Sequence, residues 1–334
     1  MPKKPLVSIN MVVYNGDKYI ERAIQSILMQ DLGDWELIIV DNGSVDNTRF
    51  IIEGFSSDER IRPFFLSLPD EIRSRNCALE HSQGEFIAIL DSDDIAYANR
   101  LMVQVEYLNI HKDIDLAGSY TDVIDQDGNR LYTNKYPETS FQIKWRLFFG
   151  TPIAHSSIMF RNNIGIKYRE GYQWSCDREL YVRLMGQIEF ANIPEPLVQF
   201  RVHSGNQDNL EKTEIQKHNE LRILRLINSQ YLDLLLDTTI YETVIKCRRR
   251  SITTTYDLEV LSDYLTTVKI NFRECFADTK FKKKILDKDA SAIWLSWNIL
   301  NEEGLLQRAK AYLSAPHLVD LRNGIGFTVN CLKH

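Results

Sequence analysis

The strongest chemical signal in the sequence is Asp91-Ser92-Asp93-Asp94, which follows directly on the apolar run Phe86–Leu90 in "GEFIAILDSDD". A short apolar run with β-branched and aromatic residues, entered through a glycine, reads as a fully buried strand. Three carboxylates at its end repel one another and call for a positive partner. Hard oxygen ligands there suit Mg²⁺ or Mn²⁺, which keep waters and bridge to substrate phosphates. Capping of the next helix, at Asp94 or Asn99, is the alternative, but one cap does not call for three acids. Two further Asp-x-Asp pairs, Asp113–Asp115 and Asp125–Asp127, follow no such strand and read as solvated turns.

The elements that must position these acids alternate. Strand patterns at Leu6–Tyr14, Trp35–Val40, Arg62–Leu66 and Glu85–Leu90 are separated by helical patterns at Asp17–Gln30, Asn47–Phe55 and Glu71–His81. The alternation predicts βαβ units and a mostly parallel sheet with helices on both faces. Ligands in such sheets bind outside the carboxyl ends of the strands. Three of the strands end in polar clusters: Tyr14, Asn15 and Asp17; Asp41 through Asn47; and Asp91 through Asp94. For Asp41, "DNGS" is also good Asx-turn chemistry. Beyond a helix at Asn99–His111 the pattern changes. Strands are expected at Asp115–Asp125, Ala154–Arg161 and Leu197–Val202, a hairpin turn at 125–128, and a helix at Cys176–Met185. From about Glu211 the spacing is helical only. The expected division is therefore 1–210, with halves 1–112 and 113–210, followed by a helical region 211–334.

With 334 residues, 44% hydrophobic and 26% charged, the chain has the make-up of an ordinary globular protein. A formal net charge of -6 argues against broad nucleic-acid binding. The five cysteines, at 77, 176, 247, 275 and 331, show no C-x-x-C spacing and imply neither a zinc site nor a disulfide framework. Reduced thiols in a cytoplasm are the simplest reading. The basic, apolar start "MPKKPLVSINMVVYN" is interrupted by Ser8 and Asn10 and lacks a small-residue cleavage site, so no signal peptide is expected.

At "VSINMVVYNGDKYIERAIQSILMQ", "ELIIVDNGSVDNT", "RNCALEHSQGEFIAILDSDD", "NRLMVQVEYL", "CDRELYVRL" and "PEPLVQFRVHSGN" the sequence resembles the family 2 glycosyltransferases of GT-A fold, over roughly residues 5–205. The resemblance implies a nucleotide-sugar donor, a divalent metal (Mn²⁺ or Mg²⁺) and inversion at the anomeric carbon. Asp93 matches the family's metal-binding acid, and Asp91 and Ser92 fall where ribose and metal waters are held. Tyr14 and Asn15 fall where the nucleoside is received. Asp41 and Asn42 match an acidic pair near base and ribose, the second acid being an amide here. Arg75, with Arg73 beside it, faces base or diphosphate. His203 matches a metal-proximal histidine, and His155 is an acceptor-side candidate. Asp177 matches the catalytic base that takes the proton of an acceptor hydroxyl. The family's usual Glu before it is Cys176 here.

The resemblance implies a UDP- or dTDP-sugar donor and a glycan or lipid-linked glycan acceptor, in assembly of a bacterial cell-surface polysaccharide such as lipopolysaccharide or capsule. A non-catalytic nucleotide-sugar or glycan-binding protein of the same fold is the alternative, followed by a sugar-nucleotide pyrophosphorylase. The basic segments 247–251 and 280–286 and the aromatic 292–300 read first as a solvated face over a packed helix. Peripheral contact with anionic lipid on the inner face of the cytoplasmic membrane is the second reading.

Overall fold

Strand β1 (Val7–Val13) and β2 (Trp35–Asp41) are apolar almost throughout because both their faces are covered. Along β2 the sides alternate. Leu37 and Ile39 join a cluster with Ile24, Ile27, Leu101 and Val105, whereas Ile38 and Val40 pack with Ala78 and Cys77. Helices α1 (Ile20–Leu28) and α4 (Arg100–Ile110) therefore cover one face, and α3 (Glu71–His81) the other. The short α2 (Thr48–Glu53) adds Ile52 to the larger cluster. Strands β3 (Ile61–Phe65) and β4 (Phe86–Ile89) complete a parallel set in the order β3-β2-β1-β4. Its β1–β2 register runs unbroken from Val7 opposite Trp35 to Val13 opposite Asp41. Gly84 leads into β4 so close to β1 that a Cβ there would fall 2.5 Å from the Ser8 nitrogen.

This is a computed structural model, and it describes residues 4–203, 214–233, 237–248 and 255–276. Past α4 the sheet becomes mixed. The remaining strands are β5 (Ile95–Ala96), β6 (Leu116–Ile124), β7 (Arg130–Asn134), β8 (Met159–Arg161) and β9 (Phe190–Arg201). The full order is β3-β2-β1-β4-β8-β6-β9-β5, with β7 hairpinned onto β6. Strand β8 runs antiparallel to both β4 and β6, and β9 runs parallel to β6. Helices α5 (Ser140–Leu147) and α6 (Cys176–Leu184) belong to this half.

Three expectations change here. The segment expected as strand from Ala154 begins as a single 3₁₀ turn, His155–Ser157, because the Ser157 hydroxyl turns back to the Ala154 carbonyl. Strand β9 starts at Phe190, well before Leu197. Pro194 and Pro196 lie inside it, and its register against β6 shifts at Ser119–Thr121 to accommodate them. Helix α5, absent from the pattern reading, is announced by a capping box in which Thr139 and Gln142 exchange hydrogen bonds.

The chain divides into two compact units, Met1–Lys217 and His218–His334. Among the described residues the helices after β9 are α7 (Glu214–Leu232), α8 (Thr238–Arg248) and α9 (Thr255–Phe276). Ile223, Leu224 and Ile227 are buried, as are Leu265, Val268 and Phe272, and Asn228 donates to the Tyr264 hydroxyl at 3.2 Å. Among the described residues no helix is long and apolar enough to cross a membrane. The segments 280–286 and 292–300, and the side chains of 247–251, lie outside the described residues.

Candidate active site

The carboxyl ends of β1, β2 and β4 meet at one edge of the parallel set. Asn15, with φ of +50°, takes a left-handed conformation that Asn tolerates better than most residues. Its amide donates to Ser44 Oγ and its Oδ1 accepts from the Val45 N–H, both at 2.9 Å. Tyr14 before it is half exposed. Asp41, buried, accepts from the Ser44 N–H at 3.0 Å, which makes it the anchor of an Asx turn. Asn42 Oδ1 accepts from the Asp70 N–H at 2.6 Å and from Ser74 Oγ at 2.8 Å, pinning the start of α3 to the end of β2. Only its amide group is left to address a ligand.

At the end of β4 the three acids part company. Asp91 Oδ1 lies 3.5 Å from Arg75 of α3 and 3.7 Å from His155 Nδ1. Withdrawal from water opposes ionisation of Asp91, but the His155 hydrogen bond and the Arg75 charge outweigh it and hold the carboxyl well below its usual range. His155 Nε2 in turn meets the Tyr168 hydroxyl at 2.8 Å. Tyr168 is buried and fixed by its own backbone, whose N–H and carbonyl both bond the Asn76 amide. Ser92 turns toward the β1 loop, its Oγ 3.6 Å from the place a Cβ on Gly16 would occupy.

Asp93 points elsewhere. Its Oδ2 lies 3.1 Å from His203 Nε2, and the imidazole stacks on Tyr19 at 4.7 Å between centroids. Asp94 is buried, with Oδ1 accepting from the Arg201 N–H at 2.8 Å. Burial, reinforced by Asp93 and Asp91, pushes its carboxyl far above the ordinary value. Arg201, also buried, donates Nε to the Asp93 carbonyl and one guanidinium nitrogen to the carbonyls of Asp125 and Gln126. One side chain thus joins the end of β9, the acidic turn and the β6–β7 turn. Beneath them, Arg100 donates to the carbonyls of Ile89 and Ile158 and to Gln104. Burial lowers its pKa to about 10 although Asp94 and Asp91 oppose the fall. The positive partners of the acids are in good part the chain's own: Arg75, Arg100 and Arg201.

Asp177 is the second residue of α6. Burial raises the pKa of the Tyr168 phenol although the Arg75 charge opposes the rise. Cys176 is buried and its thiol is pushed well up by that burial. Its Sγ donates to Glu71 Oε1 at 3.6 Å, and Glu71 Oε2 accepts from the Trp174 N–H at 3.2 Å.

The structure therefore gathers Tyr14, Asn15, Asp41 and Asn42 along the ends of β1 and β2, Arg75 with Asp91, and Asp93 with His203. The sequence reading passed over Glu71, Tyr168, Arg100 and Arg201. Glu71 and Arg75 stand four apart on α3, a visible ion-pair spacing. Nothing in the sequence pointed Tyr168, Arg100 or Arg201 toward the acids.

A family model described as Glycosyl transferase family 2 matches residues 8–183. The chain belongs to that family. It is a glycosyltransferase, and the non-catalytic and pyrophosphorylase readings give way. The chain is 34% identical over 224 residues to an uncharacterized glycosyltransferase of Methanocaldococcus jannaschii, covering 64% of this chain and 76% of that one. It is 30% identical over 207 residues to the O-antigen biosynthesis glycosyltransferase WbnJ of Escherichia coli, covering 60% and 80%. Among solved structures it is similar to S. aureus TarS in complex with UDP-GlcNAc, with TM-score 0.58, 16% identity and coverage of 88% and 91%. That last likeness establishes the GT-A-type fold.

Proposed function

We propose that this family 2 enzyme transfers a sugar, with inversion, from a UDP- or dTDP-linked donor to a hydroxyl of a glycan or lipid-linked glycan in polysaccharide assembly. One observation carries the reading: the carboxyl ends of β1, β2 and β4 bring Asp41, Asn42 and Asp91 to one edge, with the Arg75 guanidinium 3.5 Å from Asp91. Ligands of such sheets bind at that edge, and Asp177, at the start of α6, takes the base role that the family resemblance assigns it. In this reading the acceptor oxygen attacks C1 while Asp177 takes its proton, and the C1–O bond breaks with its electron pair leaving on the nucleoside diphosphate. Arg75, buried beside Asp91, supplies fixed positive charge on the donor side. The UDP-GlcNAc bound to TarS and the O-antigen role in the name of WbnJ support the donor and pathway classes.

Among the described residues no three His, Cys, Asp or Glu side chains form a metal cage. The Asp93–His203 pair fits Mg²⁺ or Mn²⁺ nonetheless, since such ions take one or two protein ligands and fill the rest with waters and substrate phosphates. Asp93 and His203 would hold the ion, while Asp91, expected as a further ligand, faces Arg75 and His155 instead. When bound, it offsets the charge that grows on the leaving diphosphate.

The test is thermal stabilisation by UDP, dTDP and GDP, each with and without Mn²⁺. A nucleotide at a hundredfold excess over its Kd adds about 2.7 kcal/mol. The expected result is a metal-dependent shift with UDP or dTDP that Asp93→Ala abolishes. A shift that persists in Asp93→Ala at the same size, or none with any nucleotide, overturns the reading.

A further inference from the structure

Glu71 has no role in the scheme above, yet it touches both sides of the site. Its Oε1 accepts from Arg75 Nε at 3.1 Å and from Cys176 Sγ at 3.6 Å, and its Oε2 accepts from the Trp174 N–H at 3.2 Å. The Glu71 and Arg75 side chains are only 16% and 14% exposed, so this is more than a solvated helix pair. Two of the contacts also cross more than a hundred residues of chain. Arg75 continues the line to Asp91.

What Glu71 holds at the far end is strained. Trp174 has φ of +61°, rare for a bulky side chain and costing on the order of 1–3 kcal/mol. Such a conformation persists only where its surroundings over-determine it. Here a charged carboxylate grips the Trp174 N–H and, two residues on, the Cys176 thiol. Asp177 follows immediately. A base must be held to within a fraction of an ångström, because a 1 Å displacement costs about a hundredfold in rate.

We propose that Glu71 is a positioning residue that couples the donor side of the site to the turn carrying Asp177, through the path Asp91–Arg75–Glu71–Trp174/Cys176. This rests on the functional reading above, which places the donor at the β4 edge and the base at Asp177. Arg75 is shared between two carboxylates, Asp91 and Glu71. A diphosphate that arrives beside Asp91 changes how that one guanidinium is divided, and the change reaches the Trp174 turn through Glu71. Donor occupancy thus sets how firmly the base is placed.

Amide hydrogen exchange of a peptide spanning 170–178, with and without UDP plus Mn²⁺, tests this directly. In the wild type UDP should slow exchange there by about fivefold or more, the usual scale of coupling between sites. Glu71→Ala should exchange faster at 170–178 in the free protein and lose the UDP effect. Glu71→Gln, which keeps an acceptor oxygen without the charge, should recover part of it. A peptide covering α4 should exchange alike in the three free proteins, which separates the clamp from general loosening. Equal slowing by UDP in wild type and Glu71→Ala overturns the coupling. So does no slowing in a wild type whose melting point UDP raises. A wild type whose melting point UDP leaves untouched sinks the donor reading itself and takes the coupling with it.

Discussion

The two halves of the sheet bring side chains to the same site by different means. In the parallel half, site residues sit on or just past strand ends: Asp41 closes β2 in register with Val13, and Asp91 follows β4 by two residues. Backbone ladders bring those strand ends side by side. In the mixed half the site residues come from a 3₁₀ turn (His155), an irregular stretch (Tyr168), a left-handed residue (Trp174) and a helix start (Asp177). Those groups are steadied by side-chain bonds back to the first half: Tyr168 to Asn76, His155 to Asp91, Trp174 to Glu71. The strand ends of the parallel half keep their place through the sheet itself, whereas the Tyr168 and Trp174 segments borrow their rigidity from α3.

The sharpest way to separate the halves is Asp177→Asn. Turnover, read as UDP released from a UDP-sugar, should fall by about 10²–10⁴-fold, the span attributed to a positioned base. The melting shift given by UDP should be unchanged, and a parallel loss of both would erase the distinction. Gly84→Ala attacks the parallel half through its backbone, forcing a Cβ against Ser8. It should cost about 1–3 kcal/mol in urea unfolding. Asn76→Ala cuts both bonds to the Tyr168 backbone. At about 0.5–1.5 kcal/mol per bond the two together should cost about 1–3 kcal/mol, comparable with Gly84→Ala. The effect of Asn76→Ala should fall on turnover more than on UDP binding. An Asn76 variant that weakened UDP binding as much as turnover would break the comparison.

The same contrast decides what could be read in the sequence. Helix α3 is legible to the residue, Glu71–His81, because Asp70 caps it by accepting from the Arg73 N–H and Pro69 precedes that cap. Strands β1, β2 and β4 are legible because burial on both faces demands continuous apolar runs. Strand β7, exposed along Arg130–Tyr132, carries no alternation to find, and β5 is two residues long. Strand β9 hides behind Pro194 and Pro196. At the site, the strand-end acids announce themselves, but their partners do not. Arg75 and Asp91 stand sixteen positions apart, and His203 lies 110 from Asp93. Periodicity reports what a residue's own element does; only the sheet order brings β9 and α3 to the end of β4.

Arg201 has a consequence for the order in which the enzyme comes into being. Its bonds to Asp93 and Asp94 span 108 and 107 residues. A chain emerging from the ribosome can pair β1, β2, β3 and β4 long before β9 exists. Contacts of such long range are also the slow ones in folding. The acidic turn is thus written early and finished late. Until the last strand of the sheet arrives, a newborn chain holds its scaffold but not a settled site, and nucleotide binding should appear only once synthesis has passed Arg201.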